Sequence, residues 1–324
     1  MGHLSRANLR KLAKLAIKEF DLYEPRLRYL AEHTSVLFSV TDGDGQRFVL
    51  KIARSGEHSE KELLGGLFWL EKLQHISPFP ATKPIRTSRG SLFATVAMSA
   101  SSEVITRNCM LFTWVPGVSL YNRLSKPIAF KWGRLLALLH QQSRKIAASA
   151  ETKALPRYDR VFNWEERVLS LHKPCELFSR HRITVFNKAI SVVGKAISRL
   201  SSSAPIVIHG DLHPDNIRLF GRELYALDFA DCTWGYPVQD VSIALLYVRE
   251  RRNYGALRKA FHEGYGSIQP WPEEHSGQIE TFFMGRLLVI ANALVKEREH
   301  SENKCESIHQ RLARYEREFE RYLK

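Results

Sequence analysis

Cysteine is scarce in this chain: Cys109, Cys175, Cys232 and Cys305 lie far apart, with no CxxC pair among them. That excludes a disulfide-framed scaffold and a cysteine zinc site, and fits free thiols in a reducing compartment. Acidic residues are outnumbered, 34 Asp plus Glu against 48 Lys plus Arg, which leaves a formal charge of +14. The surplus favours anionic partners, whether nucleic acid, membrane surface or phosphorylated ligand, without choosing among them. Long apolar runs are also missing. The opening MGHLSRANLRKLAKLAIKEF never offers the uninterrupted apolar core of a signal peptide. The most apolar late stretch, residues 281–295, carries Arg286 and Asn292 and is 15 residues long, short of a membrane span. The expectation is a cytoplasmic chain with no membrane partner.

What is present is an ordinary globular composition. Hydrophobic residues make up 44% and charged residues 25% of 324 positions, enough apolar side chain to exclude disorder as the dominant state. Leu9, Leu12, Ala13, Ala16, Ile17 and Phe20 recur at helical spacing with Lys11, Lys14 and Lys18 opposite, predicting an amphipathic helix docked on its own domain. The period then changes to strands over 26–30, 35–41 and 46–54, with Asp42-Gly43-Asp44-Gly45 as a turn. A helix follows over 59–74 and, beyond Pro78, Pro80 and Pro84, strands over 92–98 and 108–115. After Gly117 the pattern is mostly helical, over 131–142, 163–171 and 185–200, with Ser201-Ser202-Ser203 as linker before a strand at 205–208. The interleaved charges of 296–324 predict a solvated helix face. The reading is α+β: a small strand-rich lobe over 1–113 and a larger, mainly helical lobe over 114–324. A ligand is expected in the cleft between lobes.

The informative segment is 206–240, IVIHGDLHPDNIRLFGRELYALDFADCTWGYPVQD. Phosphoryl transfer requires a carboxylate to orient or deprotonate the acceptor hydroxyl, and hard oxygen ligands to hold Mg²⁺ against the phosphates. Asp211, at the mouth of an apolar strand, suits the first task; Asn216 and Asp228 suit the second. Asp-x4-Asn followed by Asp-Phe after a further strand is the spacing of the kinase catalytic loop and metal-binding Asp. His209 and His213 also form an HxxxH pair, but Pro214 and the loop context argue against a helical zinc site.

HGDLHPDN followed by LDFADCTWGYPVQD closely resembles the aminoglycoside phosphotransferase and choline kinase superfamily. Within it, the segment looks most like the broad phosphotransferase family that contains homoserine kinase of the second type, hydroxylysine kinase and a bacterial stress-response kinase. The resemblance implies a protein-kinase-like, two-lobed fold. It implies ATP- and Mg²⁺-dependent transfer of the γ-phosphate to a hydroxyl of a small molecule, whether amino alcohol, hydroxy amino acid or sugar-like. Asp211 would be catalytic, Asn216 and Asp228 the Mg²⁺ ligands, Asp240 a brace for the catalytic loop, and His209 mainly structural. Lys51, in VLKIAR, would reach the nucleotide phosphates, with Glu62, or Glu60 in reserve, as its partner. Residues 112–115 would form the hinge whose backbone, at Thr113 and Val115, holds the adenine, with Leu50 and Leu227 against the ring.

The pattern departs from protein kinases in places. No GxGxxG covers the phosphates; the first hairpin turn reads Ala31-Glu32-His33-Thr34-Ser35, so Thr34 and Ser35 are candidates to grip them through hydroxyls or amides. Ala230 stands where a DFG carries glycine, and Asp231 adds a carboxylate that either assists the metal or bonds locally. The basic balance and the lack of an acidic cluster in the helical half weigh against polycationic aminoglycosides as acceptor. Tyr265, Trp271 and Arg286 are candidates to line the acceptor site. A stress-response-type serine/threonine protein kinase fits part of the pattern, without its glycine loop or APE segment. So does a nucleotide-binding pseudokinase scaffold, against the intact Lys51, Asp211, Asn216 and Asp228. Arg249–Arg252 with Tyr247 and Tyr254 could touch nucleic acid, but no nucleic-acid module accompanies them, and no such partner is expected.

Overall fold

The computed structural model describes residues 4–32, 35–54, 59–76, 79–100, 103–146, 148–162, 169, 171–172, 175–200, 204–298 and 305–324. Its elements begin with α1 (Arg6–Ala16), β1 (Arg26–Glu32), β2 (Ser35–Thr41), β3 (Arg47–Ala53), α2 (Glu60–Ile76), β4 (Pro84–Ile85), β5 (Ala94–Ala100), β6 (Glu103–Thr113) and β7 (Val118–Ser119). They continue with α3 (Lys126–Ser143), α4 (Ala150–Lys153), α5 (Arg180–Leu200), β8 (Ile206–Ile208), β9 (Ile217–Phe220), β10 (Glu223–Ala226) and β11 (Thr233–Gly235). Helices α6 (Pro237–Leu246), α7 (Tyr254–Gly266), α8 (Gln278–Arg298) and α9 (Cys305–Tyr322) complete the chain. The fold is α+β. Contacts divide it into two compact units: Met1–Arg123 with Lys145–Leu155 and Asp215–Asp231, and Leu124–Arg144 with Pro156–Pro214 and Cys232–Lys324.

The first unit is built on an antiparallel sheet in the order β1-β2-β3-β6-β4, with β5 also paired to β6. Strand alternation assigns its two faces. Val36, Phe38, Val40, Phe48, Leu50, Ile52, Cys109 and Leu111 point to one side, where Leu9, Leu12, Ala13 and Ala16 of α1 pack on them. The basic N-terminal helix is thus docked on its own domain. The other face carries Met110 and Phe112, packed with Leu63, Leu67 and Phe68 of α2. Lys51 pairs with Met110 and Leu37 across the sheet, so it shares this second face. The β2–β3 turn closes as its sequence predicts: Gln46 N–H donates to Asp42 Oδ1 at 2.7 Å, and Gly45 takes φ 82°, a conformation glycine adopts without penalty. A three-stranded sheet, β10-β9-β7, joins the same unit through Thr82 N–H to Ala226 O at 3.1 Å and Ala226 N–H to Pro80 O at 2.9 Å.

Among the described residues, the second unit's regular structure is helical apart from the β8–β11 pair. Helices α3 and α7 cross at backbone contact: a Cβ on Gly133 would strike the carbonyl of Phe261, and one on Gly264 that of Phe130. Trp132 and Phe261 meet edge-to-face beside this crossing, centroids 4.9 Å apart. The apolar late stretch proves longer than its sequence suggests. Residues Gln278–Lys296 of α8 form one run whose length and composition would suffice for a membrane span. The length argument therefore does not hold; two thirds of that run is buried within the unit instead, including Phe282, Phe283, Leu287 and Leu288. Helix α9 is amphipathic rather than wholly solvated, burying Ile308, Leu312, Tyr315 and Phe319. Its Glu318 takes two hydrogen bonds from Arg249, and Tyr254 is largely buried, so these two members of the basic-aromatic cluster are tied into packing while Arg252 stays exposed. The helix expected over 163–171 falls mostly outside the described residues, as does the 201–203 linker.

Candidate active site

The predicted residues gather in two groups, one in each unit. In the first unit Lys51, 9% exposed, donates from Nζ to Asp228 Oδ1 at 2.7 Å. Strand β3 puts the lysine on the inner face, and β10 delivers the aspartate just beyond its end. Asp228 takes φ 55°, one of two non-glycine residues with positive φ among those described. Aspartate is among the few side chains that visit this region, and such strain concentrates at functional sites. Asn216 closes a short helical turn, and its carbonyl accepts Leu227 N–H at 2.8 Å, which seats it beside the strand end that carries Asp228. One carboxylate and one amide oxygen form the hard donor set that Mg²⁺ takes alongside phosphate oxygens and water.

Other expectations in this unit are resolved differently. Glu62 caps α2: its Oε2 accepts Ser59 N–H at 2.8 Å while its own N–H donates to Ser59 Oγ at 3.2 Å. Among the described residues, Lys51 pairs with Asp228 rather than with Glu62 or Glu60. Leu50 faces α1, on the opposite side of the sheet from Lys51, and so cannot share a nucleotide surface with it; Val49 and Ala53 have the matching parity. Thr113 is fully engaged: its N–H donates to Lys83 O, its carbonyl accepts Thr82 Oγ1, and its hydroxyl accepts Lys83 N–H, each at 2.9 Å. Trp114 N–H donates to Arg47 O at 3.0 Å, and the Arg47 guanidinium lies 3.8 Å over the Trp114 ring. Val115 follows at the strand exit. Ser35 is buried on the Lys51 face. Thr34 lies outside the described residues.

In the second unit Asp211 follows β8, held from several sides. The loop hangs on Asp240, whose Oδ2 accepts His209 N–H at 2.9 Å and whose Oδ1 accepts Gly210 N–H at 3.0 Å. Asp240 is itself fixed by His140 Nε2 at 3.1 Å, and His140 Nδ1 meets Tyr265 Oη at 2.8 Å. All three side chains are buried. Tyr265 is therefore the far end of a brace, not part of an acceptor surface. Trp132 Nε1–H reaches Leu212 O at 3.3 Å, a further tie on the loop. Trp271 is likewise occupied, donating to Glu273 Oε2 at 3.1 Å. His213 stacks on Tyr247, ring centroids 4.4 Å apart.

Arg286 Nη2 donates to Asp211 Oδ1 at 2.6 Å, and His213 Nε2 stands 3.4 Å from Oδ2. Burial pushes the Asp211 carboxyl up, but the Arg286 charge, the His213 hydrogen bond and the charges of His213 and His209 outweigh it, so the group lies below its ordinary value. The sequence reading placed Arg286 only as an acceptor-site candidate. The signal for its ion pair was there: a lone arginine in an apolar helix must find an anion when buried.

The profile of the phosphotransferase enzyme family matches residues 28–276. A hydroxylysine kinase of Bos taurus is 24% identical over 220 residues, 64% of this chain and 58% of that protein, so the match spans under two thirds of it. A solved amicoumacin kinase in complex with AMP-PNP, Ca²⁺ and Ami superposes with a TM-score of 0.75 at 20% identity, covering 98% of this chain and 93% of that one. A microcompartment-associated aminopropanol kinase superposes at 0.73 with 19% identity, covering 97% of each. These structures share the kinase-like fold. On the family match, the chain belongs to the phosphotransferase enzyme family.

Proposed function

We propose that this protein moves the γ-phosphate of ATP to the hydroxyl of a small amino alcohol or hydroxy amino acid, with Mg²⁺, in the cytoplasm. The observation that carries the reading is the Lys51–Asp228 pair seated beside Asn216, a cation and two hard oxygen ligands in one unit. Lys51 would bind phosphate oxygens, and Asn216 and Asp228 would hold Mg²⁺. When bound, Mg²⁺ offsets the phosphate charge and fixes the oxygens around the transferred group. Asp211 orients the acceptor hydroxyl. As the acceptor oxygen bonds to the γ-phosphorus, the bond from phosphorus to the bridging oxygen breaks, ADP leaves with that electron pair, and the hydroxyl proton passes to Asp211. Val115, at the strand exit, is the better backbone candidate for the adenine, because the polar groups of Thr113 are engaged.

This acceptor class is supported by the names of two similar proteins, a hydroxylysine kinase and an aminopropanol kinase. The buried thiol of Cys109 suits a reducing compartment, and burial pushes it up to about 12.

The test is Mg²⁺-dependent ADP release from MgATP against a panel of small hydroxyl compounds that includes 5-hydroxylysine and 1-amino-2-propanol, with Asp211→Asn in parallel. Turnover with one panel member, lost in D211N, is the expected result. Phosphate appearing on an added protein instead would favour the protein-kinase alternative, and tight ATP binding with no transfer to any acceptor would favour a scaffold.

A further inference from the structure

Arg286 is the buried cation of α8. Only 7% of its surface is exposed, and Phe282, Phe283, Met284, Leu287 and Leu288 around it on the helix are all buried apolar residues. A guanidinium taken out of water in this way requires an anion close by. Its Nη2 meets Asp211 Oδ1 at 2.6 Å, the length of a charge-assisted hydrogen bond. The second oxygen, Oδ2, stands 3.4 Å from His213 Nε2. Behind the carboxylate, Asp211 N–H donates to His209 Nδ1 at 3.3 Å, and the two preceding backbone N–H groups end on Asp240. The main chain is thus held from one direction and one carboxylate oxygen from another, which leaves the side chain little rotational freedom.

We propose that Arg286 is a positioning residue for phosphoryl transfer: its guanidinium fixes Asp211 through Oδ1 and so presents Oδ2 to the acceptor hydroxyl. The proposal rests on the phosphotransferase reading of Asp211. Its physical content is orientation. A reacting group misplaced by about 1 Å costs on the order of 100-fold in rate, and a lysine, a compact point charge on a flexible stem, does not reproduce the direction of a guanidinium fork. The neutral side chain of glutamine removes the charge as well.

The test uses the full chain as Arg286→Lys, Arg286→Gln and Arg286→Ala. Three readouts are taken: ADP release with the acceptor selected from the hydroxyl panel, a carboxyl ¹³C NMR titration in which Asp211 is assigned by its loss in D211N, and circular dichroism for folding. Expected are a kcat lowered about 100-fold in R286Q with the KM for ATP unchanged, partial rescue of R286A by millimolar guanidinium, and an upward move of the Asp211 midpoint in R286Q. In the D211N background, R286Q should add no further loss, because the two act through one group. A folded R286K and R286Q with wild-type kcat would overturn the proposal. So would a raised acceptor KM at unchanged kcat, which would make Arg286 a substrate-binding group. Should R286Q and R286A fail to fold, R286K decides the same questions. Were the wild-type protein itself to transfer to no acceptor, the phosphotransferase reading would fall; an Asp211 midpoint unmoved in a folded R286Q would instead refute the clamp.

Discussion

Lys51 and Asp228 lie 177 residues apart in the chain and 2.7 Å apart in space. The lysine side chain is 11% exposed and the aspartate 41%, so the cation is enclosed while its partner remains open to solvent. The same carboxylate serves in the proposed mechanism as a metal ligand. Phosphate and Mg²⁺ together can divide this pair, one charge to each.

Replacing Lys51 with Met should therefore weaken nucleotide handling far more than folding. The expected outcome is a loss of about 100-fold in kcat/KM for ATP, the scale seen when one preorganised donor to a charged transition state is removed. Calorimetric titration with MgAMP-PNP, beside circular dichroism, checks it. Wild-type affinity and rate in a folded Lys51→Met protein would remove Lys51 from the mechanism.

Asp211→Asn should do two things at once. Transfer is lost, and the protein becomes less stable by about 3 kcal/mol, the lower end of the cost of breaking a buried pair, because Arg286 is left enclosed with its charge. Asp211→Asn with Arg286→Met should recover part of that loss. The folded-state carboxyl lies below its ordinary value, so its stabilisation is complete above the unfolded-chain value of about 3.9 and drains as pH falls through the folded value. Urea midpoints at pH 7 and pH 5 should then show the same gap between wild type and D211N, narrowing only in stronger acid.

Asp240→Asn tests the loop brace. Both oxygens of Asp240 accept backbone N–H groups, from His209 and Gly210. An amide there turns an NH₂ group against one of these donors, leaving a buried polar group unsatisfied at about 1–3 kcal/mol. The measured result should be a reduced kcat with little change in the KM for ATP, accompanied by a lower urea midpoint. An unchanged kcat would show that the catalytic loop holds its shape without this brace.

Gly264→Ala addresses the α3–α7 crossing. The added methyl would lie 2.6 Å from the Phe130 carbonyl carbon, against backbone that cannot swing aside. Overpacking of a tight core costs about 1–3 kcal/mol and more where backbone must shift. Because Tyr265 is the next residue and ends the His140 relay, activity should fall along with stability. Wild-type unfolding for G264A would mean the helices separate readily.

The fold was legible where periodicity is local. Gly45 and Asp42 announced their turn, and Leu9 to Phe20 announced a docked helix. Leu50 shows how such a reading slips. The alternation of β3 already separated it from Lys51, and a one-residue error in parity moves a side chain through the sheet. Glu62 was drawn toward Lys51 by analogy, whereas Ser59 three residues earlier carried the local capping signal. Contacts between residues distant in sequence were beyond reach: no pattern near Arg286 names Asp211, and none near His140 names Asp240. The positive φ of Asp228 was likewise hidden, since nothing in the local pattern marks a left-handed residue there.

The first unit draws on three separate stretches, and its last, Asp215–Asp231, supplies β9, β10 and Asp228. During synthesis the six-stranded sheet can emerge and close early, since its strands all precede residue 114. Lys51 must nevertheless wait for its counter-ion until another hundred residues of the chain have been made. A nascent chain halted before residue 215 would carry the lysine without the acid that pairs with it. The Lys51–Asp228 pair is thus completed only after α3 and α5 have been made.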